Sequence, residues 1–80
     1  MDGKKLVKMA NEIGAFFAAE PDPKVARAGI AGHLKRFWEP RMRRGIYEVI
    51  ARGPDHGLRP IVVEALQEHR ATLEPVAAPR

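Results

Sequence analysis

The chain has 80 residues, of which 14 are Lys or Arg and 10 are Asp or Glu, giving a formal net charge of +4 at pH 7. A chain of this length forms one small domain that buries only about 60% of its unfolded surface, so we expect a partner or self-association to add stability. The absence of cysteine excludes disulfides, thiolate nucleophiles and zinc sites of the cysteine type.

The first predicted element is an amphipathic helix from about Lys4 to Ala19. Its apolar side chains fall within about 120° of arc when successive residues are placed 100° apart. These side chains are Leu6, Met9, Ala10, Ile13, Phe16 and Phe17. Because Lys8 and Glu12 interrupt the apolar run, the segment lacks the continuous hydrophobicity of a signal peptide or a membrane span. We therefore expect one buried face and no membrane association.

The second predicted helix runs from Pro23 to about Phe37, with Asp22 as its N-cap. Aspartate is a good N-cap, and proline suits the first helical position because its missing amide is not needed there. The predicted buried stripe consists of Ala26, Ile30, His33, Leu34 and Phe37. Gly29 and Gly32, with Val25, form a flatter second face that another backbone could approach closely.

The third predicted helix begins at Pro40 and runs to about Arg52. Proline disfavours helical geometry in the residue before it, so the chain should bend at Trp38 and Glu39. The predicted buried residues of this helix are Met42, Ile46, Val49 and Ile50.

A fourth predicted helix has Pro60 near its first turn. The residues that share the apolar face of this helix are Ile61, Val62, Ala65, Leu66 and His69. The remainder of the chain has little periodicity. No segment alternates with the period of two expected of a half-buried strand. The sequence thus predicts an all-α protein, a single small domain of about four short helices with a proline-induced bend between the second and third. We expect residues 1–71 to form this domain and residues 72–80 to form a flexible tail.

The residues needed for catalysis or metal binding are scarce. The chain has no serine, and its single threonine, Thr72, lies at the start of the predicted tail. His33, His56 and His69 are far apart in sequence and lack the spacing of a metal site. We therefore predict no catalytic residue, no metal site and no cofactor bound by this chain.

The stretch HLKRFWEPRMRR, residues 33–44, concentrates the charge of the molecule. Its cationic side chains are Lys35, Arg36, Arg41, Arg43 and Arg44. With Glu39 as the single acid, five minus one gives the whole net charge of +4. A solvated face, a nucleic-acid site and a protein interface all remain open, although tryptophan beside arginine is typical of interface anchors and favours the last.

Three segments of the sequence together resemble a known family. They are LVKMANEIGAFF at 6–17, AGIAGHLKRFWEPRMR at 28–43 and GLRPIVVEAL at 57–66. They resemble the delta subunit of NAD-dependent, molybdenum-containing formate dehydrogenase, and the string WEPRMR is the most specific element. The family pattern has an aspartate at the position of Glu39, and glutamate is the poorer helix cap.

The resemblance implies a small cytoplasmic accessory subunit without a redox centre of its own. It implies that the large catalytic subunit carries bis-molybdopterin guanine dinucleotide and iron–sulfur clusters, and that other subunits carry FMN, further clusters and the NAD site. Formate oxidation to carbon dioxide with NAD reduction would then be performed by these partners. This chain would stabilise the catalytic subunit or assist its maturation.

We therefore predict a partner-binding corner around the bend fixed by Pro40. Trp38, Arg41 and Arg43 would form its exposed centre, with Arg36, Glu39 and Arg44 beside them. The arginines would pair with carboxylates of the large subunit or with phosphates of its pterin cofactor. Two alternatives stay open: the tryptophan could instead cap the core between the second and third helices, and the chain could be a small basic nucleic-acid-binding protein. Self-association of the isolated chain is also open.

Overall fold

The computed structural model describes residues 2–75, which form five helices. The helices are α1 Gly3–Phe17, α2 Pro23–Phe37, α3 Pro40–Ala51, α4 Pro60–Glu68 and α5 Arg70–Leu73. Residues 2–75 contain no strand. The predicted all-α class and the four longer helices are confirmed, whereas the short α5 was not predicted.

Helix boundaries follow from caps and prolines. The Asp2 carboxylate accepts a hydrogen bond from the Lys4 amide at 3.1 Å, and the Asp22 carboxylate accepts one from the Lys24 amide at 3.0 Å. These bonds satisfy amides that have no partner inside the first turns of α1 and α2. Pro23, Pro40 and Pro60 are the first residues of α2, α3 and α4. In each case the missing proline amide costs no helical hydrogen bond.

The predicted bend between α2 and α3 is confirmed. Trp38 and Glu39 have extended backbone angles, with ψ of 132° and 155°, and α3 begins immediately afterwards at Pro40. The Glu39 side chain makes no capping hydrogen bond to α3, as expected for a residue that caps less well than aspartate.

The core lies where α1 packs against α2, α3 and α4, and where α2 packs against α4 and α5. Its large side chains with no more than 1% exposure are Leu6, Ile30, Leu34, Ile46, Val62, Leu66 and Leu73. Leu73 is contributed by α5, so the helical domain extends beyond the predicted boundary at residue 71. The last part of the predicted tail, residues 76–80, lies outside the described residues.

Two aromatic residues that were predicted to be buried are largely exposed. Phe16 is 74% exposed and Phe37 is 65% exposed. Phe16 lies about 120° around α1 from the buried Ala10, outside the arc covered by neighbouring helices. Phe37 is the last residue of α2, where the chain turns away at the bend and leaves the end of the helix uncovered.

Within residues 2–75, no helix combines the length and the hydrophobicity required to cross a lipid bilayer.

Candidate partner-binding surface

The structure separates the predicted corner into a buried part and an exposed part. Trp38 is 5% exposed and Arg43 is 8% exposed, so the expectation that these two side chains are exposed is wrong. Trp38 belongs to the core, as in the alternative that it caps the core between the second and third helices. Arg43 lies on the core-facing side of α3, because it is three and four residues before the buried Ile46 and Tyr47.

Buried Arg43 connects two distant parts of the chain. Its Nη1 donates a hydrogen bond to the Trp38 carbonyl oxygen at 2.6 Å, and its Nε donates one to the Leu73 carbonyl oxygen at 2.9 Å. The guanidinium thereby joins the α2–α3 bend to α5. Because guanidinium has several donors in a fixed plane, it can satisfy two carbonyls at once.

The other predicted residues, Arg36, Glu39, Arg41 and Arg44, are exposed. None of the ion pairs formed between residues 2 and 75 involves these four side chains. The fold therefore presents their charges to solvent without holding them in a fixed arrangement. They can act as charged residues at the edge of an interface, but they do not form a binding site with a fixed geometry.

Two further polar side chains, which the sequence analysis missed, hold the helices in place. The Tyr47 hydroxyl donates a hydrogen bond to the Leu66 carbonyl oxygen at 2.7 Å, and burial raises the pKa of Tyr47 to about 12. The Asn11 side chain donates to the Gly57 carbonyl at 2.9 Å and accepts from the Arg59 amide at 2.8 Å. Tyr47 lies three residues before Ile50 of the predicted buried face, and that spacing was the available signal for its burial.

An exposed apolar surface lies along α1 and α2. All four large hydrophobic side chains that are exposed within residues 2–75 belong to these two helices: Met9, Phe16, Val25 and Phe37. Soluble monomers rarely expose a contiguous apolar patch unless it has a binding role. Phe16 and Phe37, the two most exposed of the four, mark the face of the molecule on which a partner could bury apolar area.

Aromatic contacts connect part of this face into one surface. The rings of Phe16 and Phe17 meet edge to face with centroids 5.0 Å apart, and the rings of His33 and Phe37 lie 4.7 Å apart. Ile13, Phe16, Phe17 and His33 line a cavity of about 380 Å³ between the two helices. We call Ile13, Phe16, Phe17, His33 and Phe37 the aromatic surface.

A glycine in α2 determines which of the two adjacent phenylalanine rings of α1 lies against α2. A Cβ atom at position 29 would overlap the Phe17 ring, so Gly29 is what allows that ring to lie against α2. With Phe17 turned inwards, its neighbour Phe16 lies about 100° further around α1 and projects outwards. The local sequence thus partly buries one aromatic ring of the pair and exposes the other.

The helices that carry the aromatic surface are strongly basic. Their cationic residues are Lys4, Lys5, Lys8, Lys24, Arg27, Lys35 and Arg36. Glu12 is the single acidic residue within the two helices. Arg27 is paired with Glu68 of α4, and this pairing lowers the pKa of the Glu68 carboxyl. Lys35 donates a hydrogen bond to the Thr72 carbonyl oxygen at 3.4 Å, and Lys4 lies at the other end of α1 from Phe16, so the cations are spread around the two helices. Among residues 2–75, the one charged residue that lines the cavity of the aromatic surface is Glu12.

A second groove, of about 540 Å³, lies between the start of α1 and the end of α3. Its charged lining residues are of both signs and include Lys4, Arg52 and Asp55, and His56 also lines it. The Nδ1 atom of His56 is already used, because it accepts a hydrogen bond from the Leu58 amide at 3.0 Å. Among residues 2–75, no group of three His, Asp or Glu side chains is arranged to hold a metal ion.

Comparison with known proteins gives one match. The family model described as NADH-dependant formate dehydrogenase delta subunit FdsD matches residues 5–66. The match includes nearly all of α1, the whole of α2 and α3, and most of α4, and so contains every residue of the aromatic surface. No curated protein and no solved structure matches the chain.

Proposed function

Because the chain belongs to the family of NADH-dependent formate dehydrogenase delta subunits, we propose that it is a non-catalytic accessory subunit of a cytoplasmic formate dehydrogenase. It binds the large molybdenum-containing catalytic subunit and stabilises it or assists its maturation. The redox groups belong to the partners in this proposal: bis-molybdopterin guanine dinucleotide, iron–sulfur clusters, FMN and NAD.

The observation that carries this proposal is the aromatic surface. Phe16 and Phe37 both expose large rings on a chain of 80 residues. Within residues 2–75, the helices α3, α4 and α5 have no exposed large hydrophobic side chain. Central aromatic anchors supply most of the binding energy in many protein interfaces. A partner that covers this surface also stabilises the folded chain by mass action, because it binds the folded chain and not the unfolded one.

The exposed charges have a secondary role in the proposal. Arg36, Arg41 and Arg44 lie in solvent at the end of α2 and along α3, and they can pair with carboxylates at the edge of the partner's surface. Rim charges chiefly affect the association rate and its salt dependence. Trp38 and Arg43 contribute indirectly, by fixing the bend that positions these arginines.

The test is co-expression of the tagged chain with the catalytic subunit, followed by affinity purification at moderate salt. We expect the catalytic subunit to be retained, and we expect its molybdenum content or its thermal stability to be higher than when it is expressed alone. Absence of retention would contradict the proposal. The presence of the chain in the active, fully loaded enzyme would identify a permanent subunit, and its loss on loading would identify an assembly factor.

The alternative function, nucleic-acid binding, predicts a different result in the same purification. Nucleic acid would then be retained in place of the catalytic subunit. Its affinity would fall steeply between low and moderate salt, because phosphate contacts release counterions. Binding that depends mainly on apolar rings would change little over that range.

A further inference from the structure

The connection between α3 and α4 contains a short segment that lies between two glycines. Residues 54–56 are preceded by Gly53 and followed by Gly57, whose φ angles are +139° and +81°. Glycine adopts such angles readily, whereas other residues rarely do. Gly53 and Gly57 are therefore the two positions at which the direction of the segment can change with little strain.

The segment forms one wall of the groove between α1 and α3. The groove has a volume of about 540 Å³, and Pro54, His56, Val7 of α1 and Val49 of α3 are among its lining residues. A Cβ atom placed on Gly57 would contact a Val7 methyl group at 3.8 Å, so the end of the segment lies beside Val7. Movement of the segment would therefore change the access of solvent to the groove and to Val7.

Three hydrogen bonds that involve side chains hold this connection. The Nδ1 atom of His56 accepts one from the Leu58 amide at 3.0 Å. The Asn11 side chain donates one to the Gly57 carbonyl oxygen at 2.9 Å and accepts one from the Arg59 amide at 2.8 Å. Asn11 thus attaches the connection to α1, whereas the His56 imidazole attaches residues 54–56 to the buried Leu58.

The two side chains respond differently to pH. A neutral imidazole that accepts at Nδ1 carries its proton on Nε2, and protonation converts Nδ1 into a donor. The Leu58 amide is also a donor, so the hydrogen bond between it and His56 is lost. Histidine ordinarily changes its charge between about pH 5 and 8. The carboxamide of Asn11 does not titrate in this range, so its two hydrogen bonds persist.

The charges that face the groove oppose one another. The charged side chains that line it are Asp2 and Lys4 at the start of α1, Arg52 at the end of α3, and Asp55 within the segment. All four are exposed, so solvent and salt screen their effects on His56. Arg59 lies beside Gly14 and is not part of the lining. The hydrogen bond to Leu58 is therefore the contact on which the response to pH depends.

We infer that residues 54–56 are a pH-sensitive flap over the groove between α1 and α3. The flap is closed while the His56 imidazole is neutral and accepts from the Leu58 amide. It opens about Gly53 and Gly57 when the imidazole is protonated, and opening increases the access of solvent to Val7. The flap is a property of the free chain, so it is tested without the catalytic subunit.

The first test measures the protection of single amides against hydrogen exchange by NMR, at about pH 7.5 and about pH 5.5, on either side of the ordinary titration of histidine. Loss of one neutral hydrogen bond shifts an equilibrium about fivefold. We therefore expect the protection factor of the Leu58 amide to be about fivefold lower at the acidic pH. The Arg59 amide is the internal control, because its acceptor is Asn11. Unchanged protection of Leu58, or an equal loss at both amides, would overturn the inference.

Two substitutions assign the effect to His56. His56→Ala removes the acceptor, so the Leu58 amide should have low protection at both pH values. His56→Asn supplies an uncharged side chain that commonly accepts from the amide two residues further on, so protection should be high at both. His33 and His69 remain in each variant. A loss of Leu58 protection in acid that persists in either variant would show that another histidine is responsible and would overturn the inference.

The third test measures the movement of the flap itself. The chain has no cysteine, so Val7→Cys provides a single thiol beside the flap. Its alkylation rate is compared between the wild-type and His56→Asn backgrounds at the same pH, so that the pH dependence of the thiol cancels. We expect equal rates at about pH 7.5 and about fivefold faster alkylation in the wild-type background at about pH 5.5. Equal rates at both pH values would show that the segment does not move and would overturn the inference.

Discussion

Arg43 and Arg44 are adjacent in sequence but have opposite environments, so replacing each by alanine isolates the effect of burial. Arg43 is 8% exposed and donates to the carbonyl oxygens of Trp38 and Leu73, whereas Arg44 is exposed. Arg43→Ala removes both hydrogen bonds and leaves two main-chain acceptors without their charged donor. Arg44→Ala removes a charge of the same sign from the same helix without breaking a contact of this kind.

The expected loss for Arg43→Ala follows from the two hydrogen bonds. A hydrogen bond to a charged group contributes about 1.5 to 3 kcal/mol, so the pair together amounts to about 3 to 6 kcal/mol. A domain of 80 residues has a total free energy of unfolding of about 4 to 12 kcal/mol. The substitution should therefore remove a large part of the stability. Arg44→Ala should change it by no more than about 0.5 kcal/mol.

Urea unfolding is the assay, because Trp38 is the chain's single tryptophan and its burial makes its fluorescence sensitive to unfolding. With a slope of about 1 kcal/mol per molar urea, the midpoint of Arg43→Ala should fall by about 3 M. If that variant does not fold, Arg43→Lys should show a smaller loss, because one ammonium can still reach one carbonyl. Equal midpoints for Arg43→Ala and Arg44→Ala would refute the reasoning.

Three further predictions concern the helix contacts. Tyr47→Phe should lower the free energy of unfolding by about 1 kcal/mol, measured by thermal unfolding, because it removes a buried hydrogen bond. Burial raises the pKa of Tyr47 to about 12, so wild-type stability should fall as pH rises from 10 towards 12. This fall should be absent in the variant. Gly32→Ala should stabilise the free chain by about 0.5 to 1 kcal/mol, whereas Gly29→Ala should not, because its Cβ atom would overlap an aromatic ring of α1. Leu73→Ala should cost about 2 to 5 kcal/mol by chemical denaturation, and a loss below 1 would show that α5 is not part of the core.

The helix starts were predictable because the signals that set them are local. Proline restricts its own φ angle and the conformation of the residue before it, whatever lies elsewhere in the fold. The predicted starts at Pro23 and Pro40, and the predicted place of Pro60 near the first turn of the fourth helix, therefore agree with the structure. A helix of four residues contains too little of any period to be recognised, and α5 was missed for this reason.

The burial of Arg43 next to the bend was not predictable, because it depends on a hydrogen-bond acceptor far along the chain. A charged side chain is expected to be exposed unless buried acceptors surround it. One acceptor of Arg43, the Leu73 carbonyl, lies 30 residues further along the chain. No periodicity within α3 reveals that contact. The predicted exposure of Trp38 failed because its side chain packs in the core with residues of the other helices, which the local sequence does not reveal.

The aromatic surface shows a different limit of sequence patterns. Periodicity identifies which residues share a side of a helix, and Phe16 and Phe37 were correctly grouped with their stripes. How much of each stripe is covered depends on the width and the position of the neighbouring helices. The two phenylalanines lie at the edge and at the end of the covered area, so both are exposed.

The burial of Leu73 also has a consequence for how the protein is made. The α1–α2 hairpin is synthesised first, yet Leu6 and Ile30 share their core with Ile46, Leu66 and Leu73 of helices that are made later. At about 5 to 20 residues per second, the ribosome needs about 2 to 7 s to continue from Phe37 to Leu73. During that interval the hairpin exposes its core residues as well as its aromatic surface. Under the proposed function, a catalytic subunit made nearby could meet the nascent hairpin before the domain closes.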